Sequence, residues 1–274
     1  MRVMVESPIL AELRPRVREF PSALLGYSGG VDSALLAVVL YQELGPSRML
    51  AVIGRSASYP EAQCRAATAL AGRFGIPLLE VATHELDDPA YLANATDRCF
   101  HCKTELWHRL GAVARERGLA VVCDGTNADD LAPGEHRPGH AAGVAAGVRA
   151  PLAEAGLGKA AVRAAARALG VPLWDAPAAP CLSSRVQYGI RITPRALRQV
   201  EHAEAFLRGL GVTGDLRVRH HGDRARIEAE PRWIAFLADR MDAVRERFTA
   251  LGFGAVEVDP RGYRRGSLLT IGGS

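Results

Sequence analysis

An α/β fold is predicted, a doubly wound and mostly parallel sheet with a small C-terminal α+β domain. Three observations predict it. Short apolar runs alternate with helix-length segments between residues 23 and 169, the pattern of repeated strand–helix–strand units. The first run leads through a glycine-rich turn, Ser28-Gly29-Gly30-Val31-Asp32-Ser33, directly into a helix. After Thr193-Pro194 the order changes to helix, hairpin, helix, strand. The boundary falls near residue 188, giving domains 1–188 and 189–274.

The elements follow in order. Residues 9–20 form a short helix that ends before Pro21, and residues 23–27 form a buried strand. The apolar helix 34–44 is closed by Gly45-Pro46, a stop that proline and glycine enforce. Residues 49–53 are a second strand, 61–74 a helix stopped by Gly75, and 77–82 a third strand. Helix 104–117 stops at Gly118 and strand 119–123 follows. The stretch 131–149, rich in Gly, Pro and His, has no sustained period and reads as a loop over the C-terminal edge of the sheet. Helix 158–169 ends at Gly170, and 176–180 is a proline-bounded break. Beyond it come helix 194–210, strands 216–220 and 225–229 around Gly222-Asp223, helix 231–251 and strand 255–258.

Composition narrows the classes. Hydrophobic residues make up 48% and charged residues 23% of 274 positions, which excludes a disordered chain. A net charge of +4 is too small to mark a nucleic-acid binder. Only Lys103 and Lys159 are lysines among 34 basic residues, so a lysine stands out against an arginine background. Charged residues interrupt positions 1–20, and the longest apolar run is Ala34 to Tyr41. Neither a signal peptide nor a membrane span is expected, and the location expected is cytoplasmic. In a reducing compartment five cysteines serve as core residues, metal ligands or nucleophiles.

Chemistry concentrates in a few places. In Ser28-Gly29-Gly30-Val31-Asp32-Ser33 two glycines permit close backbone approach, and successive N–H groups with the following helix N-terminus form an anion nest. The Ser28 and Ser33 hydroxyls suit phosphate oxygens, while Asp32 holds either the loop or a Mg²⁺. A second signal, Asp124-Gly125-Thr126-Asn127-Ala128-Asp129-Asp130, follows the fourth strand. Ligands of open α/β sheets sit outside that end of the strands. Asp129 and Asp130 there are candidates for Mg²⁺, with an Asx-type turn as the plain alternative.

The third signal is Cys99-Phe100-His101-Cys102-Lys103. Two thiols at this spacing reach one metal or each other. Cys64 and Cys123 read as core, whereas Cys181 lies in the loop Pro180-Cys181-Leu182-Ser183-Ser184-Arg185. Cys99, Cys102 and Cys181 form a candidate three-thiolate set, which on a four-iron cluster leaves one iron open. Arg217 and Arg219 alternate on one strand and share a face, where two guanidinium forks can grip a phosphate. His220 and His221 read as surface residues.

Ser28–Ser33 matches the S-G-G-x-D-S signature of the PP-loop ATP pyrophosphatases, which the chain resembles over about residues 20–185. The resemblance implies the adenine nucleotide α-hydrolase-like fold, ATP binding with Mg²⁺, adenylation of an oxygen and release of pyrophosphate. Nucleotide contacts would come from Ser28, Gly29, Gly30, Val31, Asp32, Ser33, Gly125, Thr126 and Asn127. Further motifs follow in order: Cys99-x-x-Cys102-Lys103, Arg137-Pro138-Gly139, Pro180-Cys181-Leu182-Ser183-Ser184-Arg185, Arg217-Val218-Arg219, Arg226-Ile227-Glu228 and Gly262-Tyr263-Arg264. Together they resemble the LarE family of sulfur transferases, which mature the nickel-pincer nucleotide cofactor of lactate racemase.

That resemblance implies pyridinium-3,5-biscarboxylic acid mononucleotide as substrate and a thiocarboxylate as product. Asp32, Lys103, Cys181 and Glu204 match catalytic positions, and Arg217, Arg219 and Arg264 match arginines that hold the substrate phosphate. In one branch of the family the residue matching Cys181 gives up its own sulfur. In the other, three cysteines matching Cys99, Cys102 and Cys181 hold a [4Fe-4S] cluster, and this is the branch expected here. A homo-oligomer without membrane or nucleic-acid partners is expected. The alternatives are a tRNA thiolation enzyme, an ammonia-dependent synthetase of the NAD synthetase kind, and a nucleotide-sensing iron–sulfur protein.

Overall fold

The computed structural model describes residues 8–133, 137–177 and 180–264. In chain order these form α1 (Leu13–Arg18), β1 (Ala23–Gly26), α2 (Val31–Leu44), β2 (Met49–Arg55), α3 (Glu61–Phe74) and β3 (Leu78–Ala82). Then come α4 (Pro89–Leu92), α5 (Arg98–Glu116), β4 (Val121–Asp124), α6 (Pro138–Ala145), α7 (Pro151–Glu154) and α8 (Lys159–Ala168). Last are α9 (Pro194–Gly209), β5 (Leu216–His221), β6 (Arg224–Ala229), α10 (Ile234–Ala238), α11 (Met241–Ala250) and β7 (Ala255–Val258).

The described residues divide into two compact units. Residues 8–85 and 99–177 form the first, and residues 86–98 and 180–264 form the second. The second unit thus starts before the expected boundary at residue 188 and also takes in the segment 86–98. Hydrogen bonding explains this. The buried Asn94 amide donates to the carbonyls of Gln187 at 2.8 Å and Ile190 at 2.9 Å, and the Ile192 N–H donates to the Leu92 carbonyl.

The first unit is built on a parallel sheet of order β3-β2-β1-β4. Side chains alternate across it as the strand period demands. Ala23, Leu25, Ala51 and Ile53 join the core formed with α2, α3 and α8. Leu24 and Val52 face the other way, into Trp107, Leu110 and Ala114 of α5. Helices therefore cover both faces, as a parallel sheet requires. Helix α2 is buried from Ser33 through Leu40, which is why its sequence is apolar all round rather than along one stripe.

The second unit carries a three-stranded sheet of order β5-β6-β7, antiparallel in the hairpin and parallel between β6 and β7. Leu216, Val218, Ile227 and Ala229 pack with Ala203 and Leu207 of α9 and with Val244 and Phe248 of α11. Four local expectations change. Helix α5 begins at Arg98, so the cysteine pair lies within its first five residues and not ahead of it. The stretch 131–149 contains α6, started by Pro138 at its first turn, a position proline favours. The expected helix 231–251 is broken into a short turn, α10 and α11. His220 is not a surface residue. It is 5% exposed, its ring lying 5.4 Å from that of Phe253 and its Nε2 3.2 Å from Gln199 Oε1.

Candidate functional site

The order of the first sheet fixes where a ligand can sit. The chain runs from β1 outward to β2 and β3, then returns to β4 on the other side of β1. This is a topological switch point, where the loops leaving adjacent strands diverge and open a crevice. Gly26 pairs with Asp124, so the turns that follow both strands stand side by side.

The turn after β1 is held in detail. Gly29 has φ +71°, and a Cβ there would lie 2.7 Å from that of Ala67; only glycine fits. Gly30 caps α2. The Ser28 and Ser33 hydroxyls lie 3.1 Å apart, and Ser33 Oγ donates to the Gly30 carbonyl. The Ser28 carbonyl accepts from Tyr59 Oη at 2.9 Å and from Gln63 Nε2 at 2.7 Å. That carbonyl is thus occupied by the protein, and the Gly30 N–H lies 3.4 Å from Ser28 Oγ; successive N–H groups of such a turn are the kind of backbone that can meet an anion.

The turn after β4 comes close to the same helix. A Cβ at Gly125 would lie 2.7 Å from the Ser33 nitrogen, so this glycine permits backbone contact with the start of α2. Asp124 Oδ1 accepts from the Thr126 N–H at 2.9 Å, and Asn127 Nδ2 donates to Asp32 Oδ1 at 3.1 Å. Burial pushes the Asp32 carboxyl above its ordinary range; the Asn127 bond opposes the rise and nearby Asp130 adds to it. Of its two expected roles, holding the loop is the one that the protein contacts support.

Asp129 and Asp130 are engaged by protein groups. Asp129 Oδ2 accepts from the Lys159 N–H at 2.7 Å and so caps α8 from a distance. Asp130 pairs with Arg137 and, at 3.0 Å, with Lys159 Nζ. Two cations already neutralise Asp130, so the pair does not present the oxygen-rich, uncompensated set that Mg²⁺ selects. Lys103 is half-buried, its Nζ 5.1 Å from the centre of the Trp107 ring. Trp107 in turn packs on Gly26, which places Lys103 on the flank of the last residue of β1.

In the second unit, Arg217 and Arg219 do share a face, opposite Glu228 and Arg226 in register. They are not solvated: Arg217 is 5% and Arg219 6% exposed. Arg219 Nε donates to the fully buried Glu228 at 2.8 Å, and Arg226 Nη2 donates to the other Glu228 oxygen at 3.0 Å. Arg217 stands 5.2 Å from the centre of the Tyr263 ring; burial and neighbouring Arg185 lower its affinity for its proton. Arg264 lies 3.4 Å from buried Asp259, which Arg226 and Arg261 also approach. Buried arginines in excess of acids suit a phosphate.

Glu204 is engaged by the protein. It receives Nε and Nη2 of Arg185, one edge of the fork, at 3.0 and 3.2 Å, and the Val218 N–H at 3.0 Å. Arg185 holds the backbone of Pro180 and Cys181. Sequence reasoning gave no role to Arg98, which donates to the Ser183 carbonyl at 3.0 Å. The available signal was its place directly before Cys99.

Cys99 and Cys102 stand three residues apart on α5, both half-buried, and Cys181 belongs to the second unit. Among the described residues no three or more His, Cys, Asp or Glu side chains gather to hold one metal ion. Among the described residues no helix is long and apolar enough to cross a membrane.

Comparison with known proteins agrees with this architecture. The NAD synthase family model matches residues 9–130. An uncharacterised protein of Synechocystis is 42% identical across 98% of this chain and 99% of its own length. An uncharacterised protein of Methanocaldococcus jannaschii is 27% identical across 88% of this chain and 90% of its own length. The pyridinium-3,5-bisthiocarboxylic acid mononucleotide synthase of Lactiplantibacillus plantarum is 33% identical across 94% of this chain and 92% of its own. With that identity over nearly its whole length, the chain belongs to the PP-loop family of the pyridinium-3,5-bisthiocarboxylic acid mononucleotide synthase.

Proposed function

We propose that this protein is an ATP-dependent sulfur transferase that turns a carboxylate of a pyridinium mononucleotide into a thiocarboxylate. The observation that carries the reading is the Ser28–Ser33 turn, locked at the switch point by Tyr59, Gln63 and Asn127. The buried arginines of the second unit, and the synthase named by the similar protein of Lactiplantibacillus plantarum, supply the substrate class. ATP enters with its Mg²⁺, and the turn after β1 receives its phosphates. A substrate carboxylate oxygen attacks the α-phosphorus, giving an acyl-adenylate and pyrophosphate. Adenylation turns a poor leaving group into AMP.

The sulfur donor in this reading is Cys181. Its thiolate displaces AMP and forms a thioester. Loss of the Cys181 α-proton with cleavage of its Cβ–S bond then releases the thiocarboxylate and leaves dehydroalanine. Glu204 and Arg185 hold the loop, and Arg217 with Arg264 receives the phosphate of the mononucleotide. A [4Fe-4S] cluster supplies sulfide in the other branch of the family. The Cys99–Cys102 pair offers two thiolates toward one, and no step is routed through it here.

The match of residues 9–130 to the NAD synthase model favours a second reading, in which ammonia displaces AMP and an amide forms. One experiment separates the two. The protein is incubated with ATP, Mg²⁺ and pyridinium-3,5-biscarboxylic acid mononucleotide, with and without ammonia. Pyrophosphate and a product in which sulfur replaces oxygen, both independent of ammonia, are expected. An ammonia-dependent amide, or no pyrophosphate, overturns the sulfur-transfer reading.

A further inference from the structure

We propose that Arg185 is a positioning residue for Cys181, tying the loop of that cysteine to strand β5 through Glu204. The proposal rests on the sulfur-transfer reading. Arg185 is 4% exposed, and its fork is used on both sides. Nε and Nη2 lie on Glu204 at 3.0 and 3.2 Å. Nη1 donates to the Pro180 carbonyl, to the Cys181 carbonyl at 3.0 Å and to Ser184 Oγ at 3.1 Å. Glu204 Oε1 also takes the N–H of Val218, the residue between Arg217 and Arg219.

The chain of contacts is therefore continuous, from the Cys181 backbone through Arg185 and Glu204 to the strand that carries the phosphate-facing arginines. The neighbouring carbonyls are fixed in the same way, Ser183 by Arg98 and Ser184 by Arg219. Cys181 precedes only a short helical turn, Leu182–Arg185, which cannot orient its backbone by itself. Stability does not require this device, since a buried ion pair is often matched or exceeded by well-packed apolar residues. What the planar fork adds is direction. Lysine offers one point charge on a flexible stem and cannot bridge a carboxylate and two carbonyls.

The test counts two products. In the unsubstituted protein pyrophosphate and thiocarboxylate are released in proportion. Arg185→Lys is expected to leave mononucleotide-dependent pyrophosphate release and its KM within about twofold while thiocarboxylate formation falls about a hundredfold, the scale of a misplaced reacting group. Unused acyl-adenylate then hydrolyses, and the product ratio rises. Glu204→Gln keeps the shape of the side chain and one acceptor oxygen, and should move the ratio the same way by a smaller factor. Added guanidinium should restore part of the coupling in Arg185→Ala.

A loss of stability alone would lower both products together and would not respond to guanidinium. Equal losses, or an unchanged ratio in both variants, overturn the proposal. Absence of pyrophosphate from the unsubstituted protein sinks the sulfur-transfer reading instead. The positioning role is then read on the substrate-free protein, as the rate of Cys181 alkylation followed on its peptide by mass spectrometry. A difference of about tenfold between Arg185→Lys and the unsubstituted chain supports it, because thiol reactivity follows the local environment; equal rates overturn it.

Discussion

The Asn127 side chain donates to Asp32 across 3.1 Å and so joins the turn after β1 to the turn after β4. Asn127 itself is fully buried and caps the following turn, its Oδ1 accepting the Asp130 N–H at 3.1 Å. One amide thus orients a carboxylate at the first turn of α2 and fixes the neighbouring loop. A carboxylate at a helix N-terminus is favourable in itself. Its placement beside a turn proposed to receive phosphates is not, unless a cation comes with the ligand.

Asp32→Asn should therefore abolish pyrophosphate release and keep the fold. In the proposed reaction the substitution preserves shape and removes the carboxylate that Asn127 holds between the two turns, a loss of about a hundredfold or more. Calorimetric unfolding and pyrophosphate release are measured on the same preparation. Normal release would remove Asp32 from the catalytic group.

The arginines should behave differently from one another. Arg217→Ala should weaken the mononucleotide about tenfold or more and leave ATP affinity within about twofold, because it removes a fork proposed to receive the substrate phosphate. Arg219→Ala should also unfold more easily. It strips a partner from fully buried Glu228, and breaking a buried pair costs about 3–5 kcal/mol. Titration calorimetry with each ligand, together with thermal unfolding, reads both effects. Equal losses of ATP and mononucleotide in Arg217→Ala would assign that residue to the fold alone.

How much of this was legible in the sequence depends on range. The strands, the stops at Gly45, Gly75 and Gly170, and the turn at Ser28–Ser33 are local patterns. They recur in the structure because a strand–helix alternation has few ways to bury its apolar faces. Arg217 and Arg219 sharing a face followed from the period of a strand. Their burial did not follow, since it needs Glu228 and Tyr263 brought from other positions. The joining of 86–98 to the second unit was equally hidden, because it rests on Asn94 reaching carbonyls 93 and 96 residues further along the chain. Asp129 and Asp130 look like a metal pair only until Lys159 and Arg137 are folded against them.

His220 should make the second unit sensitive to acid. Burial lowers its tendency to take a proton, and both ring nitrogens are engaged, Nδ1 by the Gly222 N–H and Nε2 by Gln199. The unfolded chain takes up the proton near its ordinary value of about 6.5, while the folded chain resists until a lower pH. Stability is therefore full above that value and falls as the pH drops toward the depressed folded value, by up to about 1.4 kcal/mol per unit of pH. Thermal unfolding between pH 8 and pH 5 should show the loss, and His220→Gln should flatten it. An unchanged slope in the variant would assign the acid sensitivity to other groups.

The cysteines decide the source of the sulfur. If Cys181 donates, Cys181→Ala should still release pyrophosphate with the mononucleotide and form no thiocarboxylate. The Cys99→Ser, Cys102→Ser double variant should keep about one turnover per chain, since each Cys181 carries one sulfur atom. Mass spectrometry should then find Cys181 lighter by one H₂S, as dehydroalanine, because the Cβ–S bond is the one that breaks. A cluster predicts the opposite on every count. Protein prepared without oxygen would carry iron and labile sulfide with a broad visible band. Each of the three substitutions would lose iron and activity together, because all three thiolates are needed to leave one iron open. Added sulfide would then sustain many turnovers, and Cys181 would keep its mass. The helical spacing of Cys99 and Cys102 places two thiols on one face of α5, so metal binding by that pair alone remains measurable in the Cys181→Ala variant. Iron retained there without sulfur transfer would separate the pair from the chemistry of Cys181, whereas iron lost there would bind the three cysteines into one site.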